Sequence, residues 1–261
     1  MHVFDLGCCG IHEDPLATGV RLVVYFEDQN NRDDMLRALR SYLSEMGLWS
    51  DIHITDVPFQ DWTTSWRSHF RPVFPTPRLA ICPPWDRPAV IEGGFVIVID
   101  PKMAFGTGHH ETTRLALMGL EQQVKTGHRV LDVGTGSGIL SIAAAKLGAA
   151  LVIGVDTDVL AIENARENLK QNEVADIVEV HVGSVDGISG TFDVVVANII
   201  SRILIVLLPE LIARMTPLGC AILGGILIKE KEAFISAVEQ TGLVVGQVME
   251  DGEWVCVIVT R

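Results

Sequence analysis

Apolar residues along the chain follow two periods, and the organisation changes where the period changes. Over residues 1–57 the runs HVFDL, GVRLVVYF and DIHITDV alternate or cluster as strands do, around one helical repeat, MLRALRSYLSEMGL. At 3.6 residues per turn Met35, Leu36, Leu39, Leu43 and Met46 share one face of that helix. Strands around a single amphipathic helix predict a small α+β domain over 1–57. Residues 58–72 follow with PFQDWTTSWRSHFRP, in which Asp61 is placed to cap a helix carrying Trp62, Trp66 and Phe70 at intervals of four. Arg71-Pro72 stops it, and the expected product is a linker helix that lays aromatic rings on its neighbours.

From residue 73 to 261 short apolar runs alternate with helical periods. LAICPPW and FVIVID read as paired strands, RVLDV as a buried strand, and GILSIAAAKLG as a helix ended by Gly148. LVIGVD, IVEVHVG, FDVVVANI and GCAILGGIL read as further strands. VLAIENARENLKQN, LLPELIARM and EAFISAVEQTG supply helices between or after them. LVVGQVMEDGEWVCVIVTR closes as a hairpin turning at Asp251-Gly252, expected to add an antiparallel edge strand. Repeated βα units with nearly continuous apolar strands predict an α/β fold, a doubly wound and mostly parallel sheet covered on both faces.

Composition narrows the classes of function. With 48% apolar residues in 261, the chain can bury a sizeable core. Charged residues or proline interrupt every long apolar run, so no membrane span is expected. MHVFDLGCCG lacks the basic start and apolar stretch of a secretory signal. The five cysteines have no metal-like spacing, and Cys8 and Cys9 are adjacent, which predicts reduced thiols in a cytoplasmic protein. A formal charge of -13 disfavours direct nucleic-acid binding and favours a basic partner. Two self-contained regions without a heptad repeat predict a monomer.

The stretch VLDVGTGSGIL, residues 130–140, carries the first chemistry. Glycines 134, 136 and 138 follow a buried strand at once, where a tight strand-to-helix turn needs positive φ and bare backbone for a ligand. A phosphate-binding P-loop would need Gly-Lys-Ser/Thr, and a dinucleotide fingerprint would need glycine at Ile139. The pattern D-x-G-x-G-x-G resembles instead the first motif of S-adenosylmethionine-dependent methyltransferases with the doubly wound fold. LVIGVD ends in Asp156, at the separation expected of a ribose-binding acid, although a strand-end aspartate can also cap the following helix. FDVVVANI ends in Asn198, whose side-chain oxygen can accept a hydrogen bond from an amine. Asn198 resembles the first position of the N-P-P-Y/F signature of amino-group methyltransferases, but Asn-Ile-Ile-Ser lacks the prolines and the aromatic ring.

A second cluster, DPKMAFGTGHHETTRLAL, precedes the core sheet, with a helix expected to begin near Glu111 to Thr113. Its His109-His110-Glu111 fails the H-E-x-x-H zinc pattern because residue 114 is Arg, and adjacent histidines on an extended chain point apart; no metal is expected. Together AFGTGHHETT, VLDVGTGSGILSIAAAKLGA, GVDTD, FDVVVANI and GEWV resemble the bacterial methyltransferases of the large-subunit ribosomal protein eleven, the PrmA family. That resemblance implies S-adenosylmethionine as cofactor and a small N-terminal domain that grips the ribosomal protein. It further implies methylation of lysine side-chain amines and of the N-terminal α-amine. It carries cofactor-binding roles to Thr113, Gly134, Gly136, Gly138, Asp156 and Asn198, and borders the transfer pocket with Phe105 and His110. His110 is a candidate base and equally a candidate for shaping its loop; Ile199 and Phe105 are candidate apolar walls. A methyltransferase of the same fold acting on another protein or a small-molecule amine is the alternative.

Overall fold

The computed structural model describes residues 8–16, 19–26, 32–47, 52–55, 70–89, 92–100 and 108–261. The chain divides into two compact units, Met1–Gln60 and Asp61–Arg261.

In the first unit β1 (Cys8–Leu16) pairs antiparallel with β2 (Gly19–Phe26), from Leu16 opposite Gly19 to Gly10 opposite Tyr25, with a register shift between Cys8 and Gly10. Helix α1 (Arg32–Glu45) keeps Met35, Leu36, Leu39 and Leu43 half-buried, whereas Met46 lies beyond its end and is exposed. One strand was not expected, and one expected strand is absent from its described residues. The strand before β2 is CCGIHEDPL, whose pairing with β2 supplies the order its own pattern lacks, while HVFDL lies outside the described residues. Ile52–Thr55 is not strand, and three of its four residues are exposed. Trp62 and Trp66 of the expected linker helix also lie outside the described residues, and Phe70-Arg71-Pro72 is irregular.

The second unit opens with a three-stranded sheet of β3 (Val73–Thr76), β4 (Leu79–Cys82) and β5 (Phe95–Val98), β3 antiparallel and β5 parallel to β4. The main sheet contains β6 (Arg129–Val133), β7 (Leu151–Asp156), β8 (Val178–Val182) and β9 (Phe192–Asn198). It is completed by β10 (Met215–Leu227), β11 (Val244–Asp251) and β12 (Trp254–Thr260), in the order β11-β12-β10-β9-β6-β7-β8. Parallel pairing joins β10, β9, β6, β7 and β8. The helices are α2 (Glu111–Gln123), α3 (Ile139–Lys146), α4 (Val159–Gln171), α5 (Ser201–Ala213) and α6 (Lys231–Gln240).

Strand residues alternate between two cores, as the two-residue period of a pleated strand requires. Val130 faces a layer with Leu115, Leu120, Ile142 and Ile162 from α2, α3 and α4. Its neighbour Leu131 faces Leu204, Leu208 and Phe234 from α5 and α6. Both faces are therefore covered, which is why the strands read as continuous apolar runs.

The terminal hairpin departs from expectation in one respect. The reversed strand is β12, antiparallel to both β10 and β11 and one place in from the edge, which β11 occupies. Burial explains the exchange: Val255 to Val259 are all buried, while every β11 residue but Met249 is exposed or half-exposed, so the more apolar strand takes the covered position. Cys82, Cys220 and Cys256 are buried free thiols, and burial raises the Cys256 pKa to about 12. Among the described residues no helix is long and apolar enough to cross a membrane.

Candidate active site

The chemistry-bearing residues gather at the carboxyl ends of β6, β7 and β9, where the strand order reverses around β6 and open α/β sheets take their ligands. The glycine turn leaves β6 with Gly134, Gly136 and Gly138 at φ of 76, 54 and 82, all left-handed. Gly134 and Thr135 donate their N–H groups to Val155 O at 2.8 and 3.0 Å, which ties the turn to β7. Two of the glycines are bare because of protein neighbours. A Cβ on Gly134 would stand 2.5 Å from Ile199 Cγ2, and one on Gly138 would stand 3.3 Å from Ala165 of α4. Ile199, expected as a pocket wall, therefore fills the space over Gly134.

Asp132 precedes the turn and is wholly buried. Thr135 and Ser141 donate their hydroxyls to its Oδ2, each at 2.7 Å, and Oδ1 has no partner. Burial raises its pKa from 3.8 to about 6, and the two hydroxyl bonds only partly offset that cost. The first letter of the glycine motif was the signal for this residue, but a motif letter does not reveal that both hydroxyls converge on it.

Asp156 accepts from Gly136 N at 2.9 Å through Oδ2 and from Asp158 N at 3.0 Å through Oδ1. The helix-capping alternative belongs to a different residue: Asp158 caps α4, accepting from Leu160 N at 2.8 Å. Each Asp156 oxygen thus spends one lone pair on backbone and retains capacity for another donor.

On the other side, His110 is the N-cap of α2, its Nδ1 accepting from Thr112 N at 3.3 Å and standing 2.9 Å from Thr112 Oγ1. Its ring meets Trp254 edge-on, with centroids 4.9 Å apart. His109 turns elsewhere, with Nε2 3.1 Å from Arg71 O and its ring edge-on to Phe70. Asn198 donates from Nδ2 to Thr112 Oγ1 at 3.4 Å, so Asn198, Thr112 and His110 form one chain. Asn198 Oδ1 is buried without a partner. It lies over Gly224, where a Cβ would approach it to 2.8 Å, and a Cβ on Gly225 would stand 2.4 Å from Ile199 O. The Gly-Gly step in β10 is what lets the β9 head lie so close. Arg114 closes this half by donating to Asp251 Oδ2 of the hairpin turn, from Nε at 3.1 Å and Nη2 at 2.5 Å.

Thr113 is buried one residue after Thr112, and Phe105 lies outside the described residues. Thr112, Trp254, Gly224 and Arg114 were not foreseen as parts of the site, because each reaches it from a distant element or by a single-residue offset. A left-handed turn, a carboxylate with spare acceptor capacity and an unpartnered buried amide oxygen stand at the ends of three adjacent strands, a set of groups suited to a neutral or cationic nucleoside-like ligand.

Comparison with known proteins supplies the family. Residues 4–261 match the family model described as ribosomal protein L11 methyltransferase (PrmA). A ribosomal protein L11 methyltransferase of Pelobacter propionicus is 37% identical over 271 aligned positions, covering 98% of this chain and 87% of the relative. That of Clostridium perfringens is 35% identical, covering 90% of this chain and 77% of the relative. The crystal structure of a ribosomal protein L11 methylase from Lactobacillus delbrueckii subsp. bulgaricus superposes with a TM-score of 0.69 at 34% identity, over 74% of this chain and 99% of that one. The shared fold, the strand-end site and similarity over nearly the whole length lead to one conclusion: the chain belongs to the ribosomal protein L11 methyltransferase (PrmA) family.

Proposed function

We propose that this protein methylates amines of ribosomal protein L11, both lysine side chains and the N-terminal α-amine, with S-adenosylmethionine as methyl donor. The observation that carries the reading is Asn198: a buried amide at the head of β9, held by Thr112 through Nδ2, with Oδ1 unpartnered next to the glycine turn. The donor, when bound, supplies a methyl group activated on a sulfonium. Gly134, Gly136, Gly138, Asp156, Thr113 and Asn198 would hold it, Asp156 by accepting ribose hydroxyls on the lone pairs its backbone bonds leave open.

The chain's own residues then act on the incoming amine. A lysine amine, with an ordinary pKa near ~10.4, is mostly protonated at neutral pH and must lose a proton before it can react. Entry into a desolvated cleft lowers that pKa, and Phe105 is proposed as part of the apolar wall. Asn198 Oδ1 accepts an N–H of the neutral amine, which orients the nitrogen and leaves its lone pair to react. A proton-accepting role for His110 falls to Nε2, because Nδ1 already serves the N-terminus of α2.

The N-terminal unit is proposed to grip the ribosomal protein, and the net charge of -13 suits a basic substrate. A cytoplasmic, monomeric enzyme acting on the free ribosomal protein fits this reading. The test is mass spectrometry of L11 incubated with the protein and an isotopically labelled methyl donor. Label on lysine side chains and the N-terminus is expected. Label on other amines but none on L11 would replace the substrate and leave the chemistry; no label on any amine would end the proposal.

A further inference from the structure

We propose that Asn168 and Asn172 are positioning residues that couple the glycine turn to the exit of β5, an inference that rests on the methyl-transfer reading above. Helix α4 carries Asn164 and Asn168 one turn apart, and Asn172, four residues further on, is its C-cap. Asparagine is a mediocre helix former, and burying its amide is costly unless both ends find partners. Asn168 is 0% and Asn172 5% exposed, so the location of their partners shows what they join.

Asn168 Nδ2 donates to Ser137 O at 2.9 Å, in the middle of the glycine turn. Its Oδ1 accepts from Asp100 N at 3.2 Å, where the chain leaves β5. One side chain therefore bonds the glycine turn and the backbone just after β5. Asn172 completes the attachment by bonding both peptide groups of Val98: its Oδ1 accepts from Val98 N at 2.8 Å and its Nδ2 donates to Val98 O at 2.6 Å. Nδ2 of Asn172 also reaches Asn168 O at 2.8 Å, linking the two rungs. A leucine would fill the same volume but could not hold two backbone segments in register. Asn164, one turn nearer the helix N-terminus, is buried with neither amide atom partnered and takes no part in the coupling.

The bonds divide the labour. Asn168 bonds both the glycine turn and the β5 exit, whereas the Asn172 side chain bonds Val98 of β5 and the Asn168 carbonyl and makes no bond to the turn. In hydrogen exchange of the ligand-free protein, N168A should speed exchange about tenfold both in the glycine turn and at Asp100, while N172A should do so around Val98 and leave the turn unchanged. In methyl transfer, N168A should raise KM for S-adenosylmethionine about tenfold and lower kcat, whereas N172A should lower kcat with KM within about twofold of wild type. All comparisons are made at a temperature where melting curves show each variant fully folded. Should N168A not fold, N168D takes its place, since it keeps an acceptor for Asp100 N and loses the donor to Ser137 O. Unchanged exchange in the turn of N168A, or the same kinetic loss in both variants scaling only with melting temperature, would overturn the coupling. Exchange is read without cofactor, so an inactive wild type would refute the methyl-transfer reading and still leave the coupling decided by exchange.

Discussion

The two halves of the cleft are built differently. In the donor half the polar bonds span short stretches of chain: Thr135 and Ser141 reach Asp132 over three and nine residues, and Gly136 reaches Asp156 over twenty. In the acceptor half Asn198 meets Thr112 across 86 residues and Arg114 meets Asp251 across 137. The donor half is held mainly by bonds of short sequence span, with Asn168 adding a longer-range tie to the backbone after β5, whereas the acceptor half is assembled from α2, the head of β9 and the terminal hairpin. A site of this kind can keep cofactor affinity while its amine-binding geometry is altered, since the two properties depend on different contacts.

Breaking the contact between the halves should have the largest effect. Replacing Gly134 by valine forces a β-branched side chain into a left-handed φ of 76 and against Ile199, and is expected to weaken cofactor binding by at least about a hundredfold in calorimetry. Normal affinity in that variant would show that the two halves are not interlocked at this point.

Within the donor half, Asp132 provides a pH signature. Burial raises its folded-state pKa to about 6 from 3.8, so between those values the native state holds the proton more tightly than the unfolded chain. Its contribution to stability is complete below about pH 4 and is lost as pH rises through about 6, a change on the order of 3 kcal/mol. Urea unfolding of wild type and D132N from pH 4 to 7 should therefore give curves that diverge in favour of the variant as pH rises; parallel curves would mean that the carboxyl is not held in this way.

In the acceptor half, N198A should lower kcat about a hundredfold while the dissociation constant of S-adenosylhomocysteine changes no more than about threefold. Equal losses in both would make cofactor binding, rather than alignment of the amine, the main role of Asn198 and blur the division between the halves. The smallest effect is expected for R114A. The Arg114–Asp251 pair is only about two-thirds buried, so its loss should cost less than about 1 kcal/mol in thermal stability and a few-fold in kcat. A loss of cofactor affinity in R114A would show that the hairpin supports the donor half too.

The same division governs what could be read before any coordinates. GILSIAAAKLG and VLAIENARENLKQN appear as helices within a residue or two of expectation, since long periodic segments announce themselves. Asp156 and the glycine turn were visible for the same reason: they lie on one continuous βα unit. Thr112, which joins Asn198 to His110, was not legible, because each residue along a helix turns the side chain by about 100° and only the packed helix decides which one meets Asn198. In the first unit the strand CCGIHEDPL carries glycine, proline and three charged or titratable residues, so its pattern is weak and its partner β2 organises it.

The sequence by itself determined the class of sheet, the position of the glycine turn and the strand ends that carry Asp156 and Asn198, because short periods and local turn chemistry are written along neighbouring residues. Only the tertiary structure decided that Asn198 Oδ1 is buried without a partner beside a bare Gly224, that Asp132 is buried under two hydroxyls, and that β12 rather than β11 takes the covered place. Each of those depends on which distant groups share a low-dielectric interior, and that is settled by packing rather than by the order of residues along the chain.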